Sequence, residues 1–248
     1  LKSERMIAVV GTRNPSSYGK LCCEYMVKKM SCANITIVSG FAKGIDSIAH
    51  KTSLITGTKT IAVIASGLDI VYPASNLSLY KEIEEKGLIL SEYEAGTKPF
   101  KGNFPRRNRI IAGLSKGVII VESKDRGGSL ITADLALEYN RDVYAVPGDI
   151  FSEYSKGCNY LIRDAKAKSL SNIKELLEDY NWEIKEEAKL KVSKNQQLIL
   201  DSLSSEKSLD KILEETKIDQ TEILSELINL EIMGLIKSIA GGRYKKIL

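Results

Sequence analysis

The sequence predicts an α/β fold: a Rossmann-like, doubly wound and mainly parallel sheet, followed by a small winged-helix domain. Two observations support this prediction. Over residues 1–180, short runs rich in β-branched residues alternate with helical patterns, the order that produces strand–helix–strand crossovers in a parallel sheet. Over residues 192–248, three helical patterns precede two short strand patterns joined by Gly241-Gly242.

Six runs in the first part are predicted strands. Several are apolar throughout, as expected for strands that helices cover on both faces. The predicted strands are Met6–Val10, Ile35–Val38, Thr60–Ile64, Gly87–Leu90, Gly117–Val121 and Val143–Val146. The helices predicted between them are Gly19–Met30, Ile45–Ile55, Leu77–Lys86, Asn108–Leu114 and Ser129–Tyr139.

The second part is predicted to be a separate domain of residues 192–248. Three helices and a hairpin with a Gly-Gly turn indicate a winged helix-turn-helix. The helices are predicted at Lys194–Leu203, Leu209–Thr216 and Gln220–Met233, and the strands at Ile236–Ala240 and Tyr244–Leu248, with Gly234 before them. The highly charged segment 181–191 between the two parts is predicted to be a linker or an exposed helix end.

The composition is that of a globular protein and excludes a protein that spans a membrane. The 248 residues are 43% hydrophobic and 27% charged, and no apolar run approaches the roughly 18 residues of a membrane span. We see no signal peptide and expect a cytoplasmic protein without membrane contact. The sequence begins with Leu1 rather than Met, so we expect that the natural N-terminus lies upstream.

Catalytic and metal-binding patterns are missing from the sequence. Four Cys residues without C-x-x-C spacing and a single His predict free thiols, no metal site and no cofactor. There is no Ser/His/Asp set and no paired-carboxylate signature, so we predict no catalytic residues and no enzyme activity. Asp46 and His50 lie four residues apart, and we expect them to form a structural pair on one helix face.

The basic excess lies in the first part of the chain. Residues 1–180 contain 25 Lys and Arg against 20 Asp and Glu, a net charge of +5, whereas residues 192–248 contain 8 against 9, a net charge of −1. A polyanionic partner would therefore be attracted mainly to the first part.

The loops after the first two predicted strands are rich in glycine, and each carries a cation. The first contains Arg13, and the second contains Gly40 and Lys43. The carboxyl ends of parallel strands gather at one edge, so we expect these loops to meet there. The amides at the start of the following helices would then offer donors to an anion. Neither loop matches a P-loop or G-x-G-x-x-G, which disfavours NTP hydrolysis and dinucleotide binding.

The segment Lys98–Arg109 combines five basic residues with two Phe, contains no acid and precedes a predicted helix. Basic and aromatic side chains together favour single-stranded nucleic acid, because cations neutralise phosphates and rings stack on bases. Phe100 fits a core position, and Phe104 fits either the core or a base-stacking role. The loop Glu122–Ser129 leads into a helix through Gly127-Gly128, which fits an anion site or a plain N-cap.

Several motifs, taken in order, resemble the DprA/Smf family. No single one is specific, but the set is, and it extends from about Ile7 to Ala165. The motifs are Ile7–Arg13, Ser39–His50, Ser66–Pro73, Leu90–Tyr93, Phe104–Ile111, Val146–Gly148 and Gly157–Ile162.

The resemblance implies a domain that binds single-stranded DNA without sequence preference and dimerises. It also implies loading of a RecA-type recombinase onto incoming DNA during natural transformation. Carried over by motif position, the DNA pocket consists of Arg13, Ser39, Gly40, Lys43, Lys101 and Phe104. Charge alone adds Arg106, Arg107 and Arg109, of which Arg109 has a buried structural position as its alternative.

Two other functions fit parts of the sequence. A nucleotide-processing enzyme of the phosphoribohydrolase type would use the same fold, but its Pro-Gly-Gly-x-Gly-Thr loop is poorly matched by Arg126–Ser129.

A transcription regulator would use the third helix of the C-terminal domain in the major groove. That helix, Asp219–Glu231, carries four acids and no cation, so we expect a protein-contact or packing module. The predicted wing of the same domain is the part that could contact DNA, since it carries Lys237, Arg243, Lys245 and Lys246.

Overall fold

The computed structural model describes residues 5–183, 192–232, 235–239 and 241–247. The chain divides into two compact units, Leu1–Lys185 and Glu186–Leu248. Over the described residues, no helix is both long enough and apolar enough to cross a membrane.

The first unit contains a seven-stranded sheet in which all the pairings are parallel. Its strand order is β4-β3-β2-β1-β5-β6-β7. The strands are β1 (Met6–Val10), β2 (Thr36–Ser39), β3 (Thr60–Val63), β4 (Leu88–Leu90), β5 (Gly117–Ile120), β6 (Asp142–Ala145) and β7 (Lys168–Ser169). The order reverses at β1, where chain progression changes direction. This confirms the predicted Rossmann-like, doubly wound fold.

Helices cover both faces of this sheet. They are α1 (Ser17–Ser31), α2 (Ile45–Ile55), α3 (Leu77–Lys86), α4 (Asn103–Leu114), α5 (Gly128–Glu138), α6 (Lys156–Arg163) and α7 (Ile173–Asp179), with a short 3-10 helix at Ala74–Asn76. Alternate residues of β1 enter different cores. Ile7 and Val9 pack with α1, α2 and α7, whereas Ala8 and Val10 pack with α4, α5 and α6. The solid apolar character of β1 follows from this burial on both faces.

The structure extends one predicted helix of the first unit and adds three short elements to it. Helix α4 begins at Asn103 rather than at Asn108, so half of the basic segment is helical instead of forming a loop. Pro105 is compatible with this because amides in the first turn of a helix have no acceptor within the helix, so a residue without an N–H is tolerated there. The elements α6, β7 and α7 were not predicted, since they are short and lack a long periodic pattern.

The second unit combines three helices with a small antiparallel sheet. The helices are α8 (Lys194–Ser202), α9 (Leu209–Thr216) and α10 (Gln220–Ile232), and the sheet has the order β8 (Lys207–Ser208), β10 (Arg243–Lys246) and β9 (Ile236–Ile239). The predicted hairpin of β9 and β10 is present, whereas β8 was not predicted. Its identification as a winged helix stays a prediction. Some of the predicted positions lie outside the described residues. They are Met233, Gly234, Ala240, Leu248 and residues 184–191 of the predicted linker.

Gly44, which precedes α2, has a backbone conformation that requires glycine. Its φ is +82° and its ψ −129°, and a Cβ atom there would lie 2.3 Å from the Thr12 carbonyl oxygen. We expect Gly44→Ala to lower the free energy of unfolding of the first unit by about 1–3 kcal/mol. Gly57→Ala is the matched control, because Gly57 has φ +68° but a Cβ atom there would have no atom of the described residues within 4 Å. Equal urea midpoints for the two variants would contradict the steric part of this account.

Candidate nucleic-acid interface

The loops that follow β1 and β2 meet at the carboxyl edge of the sheet, as predicted. The amide of Ile45 donates to the Thr12 carbonyl over 3.2 Å, and the amide of Thr12 donates to the Glu122 carbonyl over 2.8 Å. These bonds join the ends of β1, β2 and β5. A cavity of about 240 Å³ opens beside them, and its walls include Arg13, Gly40, Lys43 and Phe104.

An aromatic pair and a cation form one wall of this cavity. The ring centroids of Tyr72 and Phe104 lie 5.7 Å apart, and the Arg13 guanidinium lies 5.2 Å from the centre of the Phe104 ring. Phe104 is therefore partly exposed rather than part of the core. Tyr72 was not among the predicted site residues, although the Tyr72-Pro73 motif marked its position. Phe100, for which a core position was considered, is 69% exposed.

Arg107, which is predicted to contact DNA, is almost fully buried but still lines the cavity beside Arg13 and Phe104, so its contact with DNA stays a prediction. Only 4% of the residue is exposed, and its guanidinium donates to the carbonyl oxygens of Gly40 and Val63. Burial lowers the pKa of Arg107 to about 10, while Asp46 raises it. Arg107 thus ties α4 to the ends of β2 and β3, and it positions the cavity wall.

Asp46 and this guanidinium both approach Gly40 where a side chain would begin. A Cβ atom on Gly40 would lie 2.7 Å from Asp46 Oδ2 and 2.8 Å from Arg107 Nη2. Burial raises the pKa of Asp46 to about 6, and the charge of Arg107 acts in the opposite direction. The side chains of Asp46 and Arg107 therefore leave room only for glycine between them.

Ser39, another predicted DNA contact, does not line the cavity. Its side chain is fully buried, and its hydroxyl donates to the Val9 carbonyl over 2.6 Å. The hydroxyl therefore links β2 to β1. A serine that ends a buried strand is as well suited to this internal bond as to a ligand, and the sequence does not separate the two.

The remaining cations of the basic segment differ in their surroundings. The predicted segment contained no acid, but Glu92 approaches it from the loop after β4. Glu92 forms an ion pair with Arg109 and lies 3.9 Å from Arg106 Nε. Arg109 is accordingly exposed and paired, not buried. Lys101 is exposed, but it lies outside the walls of the cavity.

Two carboxylates of the chain itself accept hydrogen bonds from residues that precede helices at this edge. Glu122 is buried and accepts hydrogen bonds from the Ser16 amide over 2.8 Å and the Ser16 hydroxyl over 2.6 Å. Asp46 accepts from the Ala42 amide over 3.3 Å before α2. The start of α5 has no side-chain cap from the described residues. It borders a second cavity of about 360 Å³ whose walls include Arg13, Lys124 and Arg126.

His50 makes a different contact from the predicted pair with Asp46. Its Nδ1 lies 2.7 Å from the Thr60 hydroxyl, which joins α2 to β3. Burial, together with the charge of Arg107, lowers the pKa of His50 to about 3. His50 is thus neutral near pH 7 and has a structural position. Over the described residues, no group of three His, Cys, Asp or Glu side chains is placed to hold a metal ion.

This neutral histidine makes stability depend on pH. Because the pKa of His50 is lower in the folded state than the usual value of about 6.5, its contribution is complete above pH 6.5 and is lost as the pH falls towards 3. Between pH 7 and pH 5, we expect the wild type to lose about 2 kcal/mol more than His50→Gln in urea unfolding. Asp46 is common to both proteins and cancels in the comparison. A constant difference between the two proteins would contradict a neutral His50.

Comparison with known protein families and curated relatives identifies one family. The family model for DNA recombination-mediator protein A matches residues 1–181. The DNA processing protein DprA of Bacillus subtilis is 44% identical over 72% of this chain and 60% of its own length. That of Streptococcus pneumoniae is 46% identical over 71% of this chain and 62% of its own length. This chain therefore spans less than two thirds of either relative.

A solved structure agrees with the sequence matches. The DNA processing protein A of Helicobacter pylori, described for its single-stranded DNA binding mode, superposes with a TM-score of 0.67 and 33% identity. The match covers 72% of this chain and 82% of that protein. Together with the family model, these similarities confirm the resemblance found in the sequence. The chain belongs to the DprA/Smf family of DNA recombination-mediator proteins.

Proposed function

We propose that this chain binds single-stranded DNA without sequence preference at the carboxyl edge of its parallel sheet. The observation that carries the proposal is the convergence of Arg13, Lys43, Tyr72 and Phe104 on one small cavity. Cations beside aromatic rings suit a flexible strand, because phosphates are neutralised while any base can stack. The single-stranded DNA binding mode of the Helicobacter pylori relative supports this proposal.

The contact of Arg13 with Phe104 shapes the proposed mechanism. The guanidinium lies over the ring, at a position that a stacked base would also occupy. A base that stacks on this face therefore displaces the guanidinium, which is then free to approach a neighbouring phosphate. Arg13 and Phe104 act together in this scheme, and Lys43 adds a second cation at the rim.

The buried residues Arg107 and Ser39 have supporting roles in the same proposal. Arg107 and Ser39 hold the ends of β2 and β3, and the Gly40 backbone lines the cavity that they shape. Lys101, just before α4, and Arg106, in its first turns, are exposed and would attract the strand over a longer range. Arg109 and Arg106 both lie close to Glu92. The negative charge of Glu92 reduces the positive charge that either arginine presents to a phosphate.

The proposed role in the cell is loading of a RecA-type recombinase onto incoming single-stranded DNA in natural transformation. Membership of a recombination-mediator family supports this role. We further propose that the protein is cytoplasmic, has no catalytic step, and dimerises through the first unit. Two linked pockets would raise the affinity for one strand through effective concentration.

The second unit is proposed as a protein-contact or packing module. Helix α10 carries three acids, and each accepts a hydrogen bond within the unit: Glu222 from Asn195, Glu226 from Gln196 and Glu231 from Ser238. A helix with this charge would be repelled by DNA phosphates. The basic residues of β10 are exposed and remain the part of this unit best suited to touch DNA.

Fluorescence anisotropy with labelled oligo-dT and a matched duplex tests the proposal. We expect salt-dependent binding of the single strand that exceeds binding of the duplex, with little change when the base sequence is altered. Equal affinity for the two, or no binding to either, would overturn the single-stranded DNA site. Turnover of a nucleoside monophosphate by the purified protein would instead support the phosphoribohydrolase alternative.

A further inference from the structure

A second basic cavity lies at the opposite, amino edge of the sheet. It measures about 870 Å³, and its walls, as far as the described residues form them, include Arg5, Lys116, Arg141, Tyr180 and Trp182, with no acidic side chain among them. The cavity lies at the starts of β1, β5 and β6. It is thus separated from the proposed DNA pocket by the full length of the strands.

The parallel register explains why three cations meet there. Arg5, Lys116 and Arg141 each immediately precede a strand, and these three strands are adjacent in the sheet. Ile7 pairs with Gly117, which pairs with Asp142, so Lys116 and Arg141 lie level with each other. Neighbouring strands are about 4.8 Å apart, which places the cations in a row.

Two of these cations have charge available for a ligand. Over the described residues, neither Lys116 nor Arg141 forms an ion pair with a carboxylate. The Arg141 Nε atom is buried and has no hydrogen-bond acceptor in the described part of the chain, where its Nη2 makes a long 3.4 Å bond to the Gly113 carbonyl. A buried donor without an acceptor is unusual, and an oxyanion in the cavity would supply one. The nearest carboxylate in sequence, Asp142, accepts the Tyr180 hydroxyl over 2.7 Å.

The same cavity has an aromatic wall. Trp182 stacks on Tyr180 with ring centroids 4.5 Å apart and an interplanar angle of 24°. The Arg5 guanidinium lies 5.8 Å from the centre of the Trp182 ring. Stacked aromatic rings beside cations are the combination that favours single-stranded nucleic acid over a simple anion.

We propose that this amino-edge cavity is a second contact for single-stranded nucleic acid, in which Lys116 and Arg141 bind phosphate and Trp182 lies against a base. The inference rests on the proposed function, since it extends the same strand to another site. A strand long enough to reach both edges would engage both cavities. A short strand would occupy the carboxyl-edge pocket alone.

Trp182 is the only tryptophan of the chain, so its emission reports on this cavity specifically. The test titrates the full chain with oligo-dT of 5 and 30 nucleotides, reading Trp182 emission and label anisotropy in parallel over a salt series. We expect quenching of Trp182 by the long strand. Lys116→Ala with Arg141→Ala should lower the salt slope for the long strand by about 1.4 and leave binding of the short strand unchanged.

Lys51→Ala with Lys81→Ala is the matched control. Both lysines are exposed on the same unit and line neither cavity. Unchanged Trp182 emission, or the same salt slope for the amino-edge and control variants, would overturn the second contact. Failure of the proposed function is distinguishable, because it would appear as short-strand binding that does not respond to loss of Arg13 and Lys43.

Discussion

Arg107→Met should lower the free energy of unfolding of the first unit by about 3–5 kcal/mol, the cost typical of breaking a buried charge network from one side. Methionine retains much of the volume but removes the donors to the carbonyl oxygens of Gly40 and Val63. It also deprives the buried Asp46 of the cation beside it. Urea unfolding followed by far-UV circular dichroism measures the change.

The neighbouring residue provides the control for this substitution. The Arg106 side chain is 68% exposed and its Nε lies 3.9 Å from a Glu92 oxygen, so Arg106→Ala should change stability by less than about 0.5 kcal/mol. The two substitutions remove the same charge from adjacent positions of α4. Similar unfolding midpoints for both variants would mean that Arg107 does not hold the cavity wall.

Phe104→Ala should weaken binding of single-stranded DNA by about 1–3 kcal/mol, which corresponds to roughly 5- to 150-fold in affinity. The salt slope should stay the same, because a ring contributes stacking and no charge. Anisotropy with oligo-dT at several salt concentrations measures both quantities in one series.

Phe100→Ala is the control for this variant. Phe100 is more exposed than Phe104, yet it lies outside the walls of both carboxyl-edge cavities. We expect its loss to leave the affinity almost unchanged. If both substitutions weakened binding equally, the rings would act through general surface hydrophobicity and not through the cavity.

The fold could be predicted because its main signals are local. The strands β1, β3 and β5 are apolar runs, and α1, α2 and α3 are periodic segments between them, so the alternation alone defines a doubly wound sheet. The start of α4 could not be predicted, since Gly102 provides no side-chain cap. The two-residue strands β7 and β8 depend on pairing partners distant in the sequence.

The site was only partly predictable, because burial is decided by tertiary contacts. Arg13 and Lys43 follow strand ends and were found for that reason. Arg107 is one of three arginines within four residues, and nothing in the sequence distinguishes the buried one from its exposed neighbours. The acids Glu92 and Glu122 reach the basic loops from other strands, which sequence proximity does not reveal.

The most direct test of the central claim is the salt dependence of oligo-dT binding for the wild type and for the double variant Arg13→Ala, Lys43→Ala. Loss of two phosphate contacts should lower the slope of log K against log salt by about 1.4, in addition to weakening binding at low salt. Parallel lines for the two proteins would contradict the account, because the strand would then be bound elsewhere on the molecule.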